Sequence, residues 1–393
     1  MGQLAVANEL PVEANDLSKK NKKQNKVRAD FRKNYDSRQR QNDLTKQFDA
    51  GRNELDDIHK SERVSGKGRW TRKRTITGDH ATNEQSGFQV TLDVDAATTI
   101  PGRVVRVHGL TSIVRTDQGD FECSTRGLLK SLATDLQNVV VAGDHVQVGK
   151  ISEQQAVVVR VEERRNFIDR TSRGRQQIIA SNIDVGLIIS SAAEPTIKPN
   201  LIDRFLIAIE KAKIQPIIVI NKVDLVDIDT LQPMAGVWGQ LGYPVVFAST
   251  VTGVGIDRLR EVLKDRNSVV TGQSGVGKSS LLNSIEVGLA RRVGSVSDDN
   301  SKGRHTTTTA ELIPLSFGGH IIDTPGLRQF QLWDVVPEEI EGYFRDLRPF
   351  VHQCRYPNCT HTHEEDCAVK NAVADGWIDV RRYDGYCQIR EGD

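Results

Sequence analysis

Hydrophobic positions along the chain follow two different periods. Between about residue 98 and residue 161, short segments of alternating apolar and polar residues succeed one another, with turn residues between them. Further along, continuous apolar runs at 184–190 and 216–220 alternate with segments of helical periodicity such as 201–210. Alternation is typical of strands with one buried face, whereas apolar runs joined by helices indicate a parallel sheet covered on both faces. The pattern predicts a small β domain followed by an α/β domain.

The β domain is predicted to be a small barrel of the OB type. Five short strands separated by turns are typical of that fold, which frequently binds oligonucleotides. Positive charge for RNA binding would come from Arg103, Arg106 and Arg115. A structural β domain with ordinary surface arginines is the alternative that the sequence leaves open. The predicted strands span 102–107, 111–116, 121–123, 145–148 and 156–161, and a basic linker at 164–175 follows them.

The first 95 residues contain few apolar positions from which a core could be built. We expect them to form a largely disordered arm. Residues 1–75 hold 19 Lys and Arg against 11 Asp and Glu, whereas the whole chain is balanced at 53 against 52. A basic arm on a mildly acidic body indicates an anionic partner, with nucleic acid as the leading candidate. A merely solvated tail would have the same composition.

Composition and segment lengths also indicate the compartment. No apolar run reaches the length of about eighteen residues that a membrane span requires, and the N-terminal stretch lacks the apolar core of a secretory signal. Three of the five cysteines fall between residues 354 and 367, which is not the pattern of a disulfide framework. We therefore expect a cytoplasmic protein that does not associate with a membrane.

One stretch of the α/β domain has the composition of a phosphate-binding loop. Residues 272–279 read G-x-x-x-x-G-K-S, between a short predicted strand and a helix. The backbone N–H groups of such a loop surround a phosphate, its lysine reaches the β- and γ-oxygens, and the serine hydroxyl ligates Mg²⁺. The following helix N-terminus also favours the phosphate charge. The predicted binding residues are Gly272, Gln273, Ser274, Gly275, Val276, Gly277, Lys278, Ser279 and Ser280.

The tetrapeptide Asn-Lys-Val-Asp that begins at Asn221 indicates guanine as the base. The Asp224 carboxylate can accept hydrogen bonds from guanine N1–H and from its 2-amino group, which adenine cannot offer. Asn221 can bind the N7 side of the base, and the stem of Lys222 can pack along the base or ribose. A companion loop adds Ser249 and Thr250, and we expect the Thr250 N–H to reach guanine O6. GTP should therefore be preferred over ATP.

Two further segments are predicted to sense the γ-phosphate. The run 303–309 is polar and threonine-rich, and Thr307 is its candidate Mg²⁺ ligand, although a plain surface loop is the alternative. The second segment reads Asp-Thr-Pro-Gly. Here Asp323 can hold Mg²⁺ through water, and the N–H of Gly326 can detect the phosphate. The predicted magnesium ligands are therefore Ser279, Thr307 and Asp323.

The residue after this glycine sets an expectation for the rate. Ras-like enzymes have a glutamine there that orients the attacking water, whereas this chain has Leu327. An apolar side chain cannot polarise water, so we expect slow intrinsic hydrolysis and a missing group supplied by another loop or by a partner. His305 is the nearest candidate for that catalytic role beside Lys278, and a contact with a partner or with solvent is its alternative role.

Near the C-terminus, three cysteines and a histidine have the spacing of a zinc site. The pattern is C-x₄-C-x-H-x₅-C, formed by Cys354, Cys359, His361 and Cys367. Thiolate and imidazole ligands in this number suit a tetrahedral, closed and structural Zn²⁺ site, because four protein ligands leave no open position for catalysis. His363 is the alternative to His361. One structural zinc is therefore expected, beside the Mg²⁺ that accompanies GTP.

The motifs occur in an unusual order. The guanine-reading residues precede the phosphate loop, whereas ordinary GTPases have the phosphate loop first. A circular permutation explains this order, since the same sheet can be built with the chain cut elsewhere. The second switch then leads directly into the predicted zinc segment.

Together these motifs and their order resemble one family closely, the ribosome small-subunit-dependent GTPase A of bacteria. The resemblance implies an OB-fold, a permuted GTPase domain and a zinc domain, low intrinsic activity that the 30S subunit stimulates, and contact with 16S rRNA late in 30S maturation. It assigns Ser274 to Ser279 to phosphate, Asn221 and Asp224 to guanine, and His305 to catalysis. Thr250 departs from the usual alanine, and the N-terminal arm exceeds the family core.

The predicted protein is therefore multidomain, with an OB-fold β-barrel, an α/β P-loop GTPase domain that is circularly permuted, and a small, mainly helical zinc-binding domain. It is expected to be a monomer that hydrolyses GTP to GDP with the 30S subunit and 16S rRNA as partners. A GTP-gated RNA-binding protein, in which turnover is not the function, is the alternative. The predicted segments are the arm at 1–95, the OB-fold at 96–165, the GTPase domain at 175–332 and the zinc domain at 333–393.

Overall fold

Three strands in the N-terminal segment form an antiparallel sheet in the computed structural model of the chain: β1 (Lys26–Asp30), β2 (Lys73–His80) and β3 (Val90–Leu92). Leu92 is buried in the core of the following domain. The rest of the predicted arm lies outside the described residues, so its disorder stays a prediction. The structure describes residues 26–30, 73–80, 90–92, 98–132, 139–172, 175–298, 310–323 and 336–392.

The next five strands close into a barrel, as predicted. In sheet order they run β4-β5-β6-β8-β7, and β7 pairs back onto β4. The β6–β8 pairing is parallel and the others are antiparallel, which is the strand arrangement of a five-stranded OB-fold. Inward-facing apolar residues at alternate positions, such as Val104, Val114 and Val158, fill its core. The elements are β4 (Ile100–His108), β5 (Thr111–Thr116), β6 (Gly119–Thr125), α1 (Gly127–Leu132), β7 (His145–Lys150) and β8 (Gln155–Val161).

A hairpin of β9 (Phe167–Ser172) and β10 (Arg175–Ser181) follows the barrel, where the sequence predicts a basic linker. That prediction is wrong for Arg164, whose side chain is fully buried in an ion pair with Asp144 of the barrel, at 2.7 Å between Nε and Oδ1. Ser181 of the hairpin also donates to Asp144, at 2.6 Å. A buried charge must be paired, so Arg164 joins the start of this segment to the barrel.

The α/β domain is a six-stranded sheet in the order β13-β12-β11-β14-β16-β15, parallel except for β15. Apolar clusters cover both of its faces. Its elements are β11 (Val185–Ser191), α2 (Pro199–Lys211), β12 (Gln215–Asn221), α3 (Gln232–Gln240), β13 (Val245–Phe247), α4 (Ile256–Leu263), β14 (Asn267–Thr271), α5 (Lys278–Ile285), α6 (Leu289–Asp298), β15 (Glu311–Pro314) and β16 (His320–Asp323), with short 3₁₀ turns at Val223–Leu225 and Ile228–Leu231.

The sheet order explains how a permuted chain builds an ordinary GTPase sheet. The strand before the phosphate loop, β14, is central. Of the other five strands of this domain, β11 to β13 precede β14 in the chain and lie on one side of it, whereas β15 and β16 follow it and lie on the other side. Either group of strands can therefore come first in the chain without a change in the sheet order. Strand β15 also pairs with β4 at Glu311 and Arg106, which joins the barrel to this sheet.

The C-terminal segment is mainly helical, as predicted, and packs on α2. Its core surrounds Phe344 and Tyr386 and includes Ile207 of α2. Arg382 and Tyr386 are both buried in this segment. The elements are a 3₁₀ turn at Pro337–Glu339, then α7 (Ile340–Tyr343), α8 (Arg348–Val351), α9 (Ala368–Ala374) and α10 (Val380–Glu391). Within the described ranges, no helix combines the length and apolarity needed to cross a membrane.

Candidate functional site

The phosphate-binding loop has the backbone that only glycine readily adopts. Gly272, Gly275 and Gly277 have φ values of 144°, 83° and 88°. A Cβ on Gly272 would lie 2.1 Å from the carbonyl oxygen of Ile189, and one on Gly277 would lie 2.5 Å from Asn221 Nδ2. Positive φ and the close approach of neighbouring groups therefore both require glycine in this loop. The loop leads from β14 directly into α5, as the motif predicts.

Side chains of the loop are divided between anchoring and binding. Val276 is buried in the apolar cluster beneath the loop. Ser274 and Ser279 are exposed, as are Gly275 and Ser280. The ammonium of Lys278 donates to the carbonyl oxygens of Gly272 at 2.8 Å and Gln273 at 2.6 Å. These contacts keep a positive charge against the loop where phosphate oxygens are expected.

Asn221 joins the guanine-reading residues to the phosphate loop. Its Nδ2 donates to the carbonyl oxygen of Val276 at 2.9 Å, and the side chain is buried. Its Oδ1 is buried without a hydrogen-bond partner in the part of the chain that the structure describes. The sequence motif indicates that these residues act together, but this contact shows how the two loops are held in register.

Asp224 is oriented by a neighbouring side chain. It is exposed in the 3₁₀ turn that follows β12, and the hydroxyl of Ser249 donates to its Oδ1. The same hydroxyl accepts from the backbone N–H groups of Val251 at 3.2 Å and Thr252 at 3.1 Å. Ser249 therefore fixes the loop that carries Thr250 and also the carboxylate that reads guanine. Sequence reasoning proposed both serine and threonine as binding residues and did not identify this orienting role.

A loop that sequence reasoning missed lies against the nucleotide motifs. It follows β11, and its Glu194 carbonyl oxygen accepts a hydrogen bond from Lys222 Nζ. Lys222 itself has a φ of 61°, an uncommon value for a residue with a Cβ. Pro195 of the same loop lies 3.6 Å from the position of a Cβ on Gly275. Ordinary turn residues in this loop gave no signal, because their contribution is made through backbone and packing.

The predicted magnesium ligands are only partly within the described residues. Asp323 ends β16, and Ser279 lies in the first turn of the helix that follows β14. Since β14 and β16 are parallel neighbours, both residues lie at the carboxyl edge of the sheet, where ligands bind in this architecture. His305, Thr307 and Gly326 lie outside the described residues, and their roles stay predictions.

The structure brings the four predicted zinc ligands together. Ligand atoms of Cys354, Cys359, His361 and Cys367 all lie within 4.8 Å of one another. His361 Nδ1 is 3.4 Å from Cys354 Sγ and 3.5 Å from Cys367 Sγ. The side chain of His363 is 81% exposed, so the structure favours His361. The cluster can hold a metal ion.

Groups around the cluster fit a bound cation. His361 Nε2 lies 3.0 Å from Glu341 Oε2, an arrangement in which a carboxylate orients a metal-bound imidazole. Tyr383 donates to the His361 carbonyl oxygen at 2.7 Å. Burial raises the pKa of the Cys359 thiol to about 12, so an anionic thiolate there needs a compensating positive charge. Cys123 and Cys387 lie outside the cluster.

The three barrel arginines predicted to bind RNA have other surroundings. Arg115 forms a forked ion pair with Asp120, with both N–O distances at 2.9 Å. Arg106 lies 4.0 Å from Glu311 of the GTPase sheet. The Nε and Nη2 atoms of Arg103 are buried. Two of these arginines are thus paired with carboxylates and two donors of the third are buried, which weakens the first argument for RNA binding by the barrel.

Comparison with known proteins agrees with this geometry. The family model described as RsgA GTPase matches residues 161–333. The protein called "Small ribosomal subunit biogenesis GTPase RsgA" in Caldanaerobacter subterraneus subsp. tengcongensis is 35% identical over 291 residues, which cover 74% of this chain and 94% of that protein. The protein of the same name in Bacteroides fragilis is 36% identical, with 74% and 96% covered. The chain belongs to the RsgA family.

Two solved structures have the same architecture. The crystal structure of YjeQ from Thermotoga maritima superposes with a TM-score of 0.61 at 32% identity, covering 75% of this chain and 98% of that one. The structure of YloQ, described as a circularly permuted GTPase, has a TM-score of 0.58 at 26% identity, with 76% and 97% covered. The chain is thus a circularly permuted GTPase of the RsgA family, which confirms the predicted family, fold class and enzyme class.

Proposed function

We propose that this GTPase acts in maturation of the small ribosomal subunit, and that the 30S particle stimulates its turnover. Its relatives are named for small ribosomal subunit biogenesis, which supports this role. The observation that carries the enzymatic part is the hydrogen bond from Asn221 to Val276, which joins the guanine-reading residues to the phosphate loop. In the proposed role, GTP turnover accompanies binding to 16S rRNA late in 30S assembly.

In the proposed reaction, water attacks the γ-phosphorus of GTP, the bond to the β-phosphate oxygen breaks, and GDP and inorganic phosphate are the products. Lys278 and the backbone N–H groups of the loop stabilise negative charge on the phosphate oxygens. Asp224 and Asn221 hold the guanine. Ser279, Thr307 and Asp323 would hold Mg²⁺, which neutralises phosphate charge when bound.

The stimulation follows from the residue that occupies the usual glutamine position. Leu327 offers no hydrogen bond to the attacking water, so the reaction depends on another polar group. We assign that group to His305, whose loop is completed by contact with the ribosomal particle. Without the particle, turnover is slow because the water is not oriented.

The metal in the Cys₃His cluster is proposed to be one Zn²⁺ with a structural role. Three thiolates and one imidazole suit that ion, and they leave no open position for a substrate. Held in this way, the ion would stabilise a small segment with a limited core of its own. We further propose a cytoplasmic monomer that binds no membrane and exchanges GDP for GTP.

GTP turnover by the purified chain, alone and with 30S subunits, 50S subunits or 70S ribosomes, tests the proposal. The expected result is slow basal turnover that 30S subunits alone raise by at least about tenfold. His305→Ala should lose the stimulation while it retains GTP binding, and Thr309→Ala in the same loop is its matched control. Turnover that no particle changes would contradict ribosome-coupled hydrolysis.

Leu327 also supports one alternative, a GTP-gated RNA-binding protein in which turnover is not the function. In that case, 30S subunits would bind more tightly in the presence of a non-hydrolysable GTP analogue than with GDP, yet they would leave the hydrolysis rate unchanged. Binding measured by co-sedimentation, beside the turnover assay, separates the two functions.

A further inference from the structure

Arg103 is a half-buried cation with two buried hydrogen-bond donors that are not used. It lies on β4, and its Nε and Nη2 are both buried without a partner among the described residues. These two atoms form one edge of the guanidinium, the edge that binds two oxygens of a phosphate or carboxylate in parallel. Buried donors without a hydrogen-bond partner lower the stability of the fold, so a role for this edge has to be sought.

An arginine and a histidine lie beside Arg103. On the neighbouring strands, Arg115 lies directly opposite it on one side and His145 on the other. Directly opposed residues point to the same face of a sheet, so the three side chains form a row across the barrel. Burial lowers the pKa of Arg103. The nearby Asp184 raises this pKa, and Arg165 lowers it.

The row faces the amino-terminal edge of the GTPase sheet. His320 begins β16, and Asn267 begins β14. Burial, together with the charges of Arg103 and Arg115, lowers the pKa of His320 to about 4. GTP is expected at the opposite, carboxyl edge of the same strands, so the two sites are separate.

The nearby carboxylates are already engaged. Asp184 accepts from Arg165 at 2.8 Å, and also from the backbone and side-chain N–H groups of Asn267 at 2.8 and 3.0 Å. Asp120 accepts both donors of Arg115. Asp144 and Glu162 likewise bind other arginines. Among the described residues, no carboxylate forms a hydrogen bond with Nε or Nη2 of Arg103.

We propose that Arg103, with the side chains of Arg115, His145, His320 and Arg165 around it, forms a binding site for a phosphate group at the boundary of the barrel and the GTPase domain. The forked edge of Arg103 binds two phosphate oxygens, and the charges of Arg115 and Arg165 complement the remaining charge. His145 and His320, whose pKa values burial lowers, contribute neutral imidazoles that can donate hydrogen bonds. Arg115 and Arg165 have side-chain exposures of 46% and 63%, so the rim of the site faces solvent, and binding requires a side-chain rotation that uncovers the donors of Arg103.

Titration of the full chain with inorganic phosphate tests the site. The protein is first saturated with GDP and Mg²⁺, so that the nucleotide loop is occupied, and ionic strength is held constant with chloride. Imidazole C–H resonances of His145 and His320 are followed by NMR. We expect a saturable shift of both, and an affinity for phosphate that falls roughly tenfold or more in Arg103→Met. Absence of a saturable shift, or an equal affinity in the variant, would overturn the proposal.

Two further variants keep this test decisive. Arg103→Lys retains the charge and loses the parallel donors, so it should fold normally and bind phosphate with intermediate affinity. Arg258→Met removes an exposed arginine that pairs with Glu261 on α4, and it should bind phosphate as the natural chain does. If Arg103→Lys and Arg258→Met behave alike, the proposed role of Arg103 is wrong.

The same spectra distinguish the source of the phosphate group. A short oligouridine is added in place of inorganic phosphate. Shifts of the same two histidines that inorganic phosphate reverses by competition would identify an RNA backbone as the ligand. Shifts with inorganic phosphate alone would identify a small phosphate compound. Either result supports the site, and neither depends on stimulation by ribosomes.

Discussion

Arg382 is buried and Arg103 is half-buried, each at a domain boundary, and their hydrogen-bond donors are satisfied very differently. Arg382 joins α10 to the GTPase domain, donates to Asp346 at 3.0 and 3.1 Å and to Asp203, and stacks over Phe344 at 4.5 Å. Arg103, between the barrel and the same GTPase sheet, leaves two donors unpaired. At the first boundary the chain's own carboxylates pair with the guanidinium, and at the second two donors of the guanidinium have no such partner.

The difference shows that burial of an arginine does not by itself indicate its role. A paired buried charge stabilises a boundary only as long as all partners stay, because the removal of one leaves the others desolvated and unpaired. Removal of a donor edge that has no hydrogen-bond partner leaves no other group unpaired. The two boundaries should therefore respond differently to the same substitution.

The largest expected effect is the loss of Arg382. Arg382→Met leaves two buried carboxylates unpaired and should lower the free energy of unfolding by about 3–5 kcal/mol. Arg103→Met leaves no carboxylate unpaired, since Asp184 keeps its other donors, and should cost less than about 1 kcal/mol in phosphate-free buffer. Urea unfolding monitored by circular dichroism measures both.

The matched control for this experiment is the preceding residue of the same helix. Arg381 is 40% exposed and pairs with Asp379. Arg381→Met should change the free energy of unfolding by less than about 1 kcal/mol, as is usual for exposed ion pairs. Equal losses in Arg382→Met and Arg103→Met would mean that the two boundaries do not differ.

The pH dependence of stability should have opposite signs at the two boundaries. Burial raises the pKa of Asp203 to about 6 from its ordinary 3.8, so the folded state binds this proton more tightly than the unfolded state. The free energy of unfolding should then fall as pH rises from about 4 to 6, by roughly 2 kcal/mol. Asp203→Asn should remove this slope.

At the barrel boundary, the lowered pKa of His320, about 4 against an ordinary 6.5, acts in the other direction. The unfolded state binds this proton more tightly, so stability should rise with pH between about 4 and 6.5. His320→Gln should remove that contribution. Unfolding curves at several pH values for the natural chain and both variants check the signs, and slopes of equal sign would contradict the comparison.

A smaller effect is expected for the affinity of the Cys₃His cluster for Zn²⁺. Glu341→Gln removes the carboxylate that lies 3.0 Å from His361 Nε2. Zn²⁺ affinity, measured by competition with a chromophoric chelator, should fall by roughly 10- to 100-fold. Glu339→Gln, two residues earlier and paired with Lys211 at the surface, should bind zinc as before. An unchanged affinity in Glu341→Gln would remove the orienting role.

The smallest change in stability is expected at the rim of the boundary that contains Arg382, the solvent-exposed ion pair between α2 and the C-terminal segment. Lys211 and Glu339 lie 3.4 Å apart, with side-chain exposures of 32% and 49%. Lys211→Met should change the free energy of unfolding by less than about 0.5 kcal/mol, since solvent screens the pair. Urea unfolding in high and low salt checks this, and a loss as large as that of Arg382→Met would show that the rim, not the buried arginine, holds the domains together.

Sequence alone determined the features that reside in local patterns. The glycine spacing at 272–277, the tetrapeptide at 221–224 and the ligand spacing at 354–367 each state their chemistry within a few residues, because backbone conformation and ligand type are local properties. Alternating and continuous apolar runs likewise predicted the barrel and the parallel sheet, since burial on one or two faces is written directly in the period.

Tertiary structure alone decided how charged and polar side chains are paired. Arg382 and Arg103 look alike in sequence, and so do His361 and His363, because pairing depends on groups far apart in the chain. The Asn221–Val276 bond spans 55 positions, and the Arg382–Asp203 bond spans 179. A basic segment such as 164–175 reads as a linker until the buried partner of Arg164 is known. Burial and partner together set the energy of a charge, and both exist only in the folded molecule.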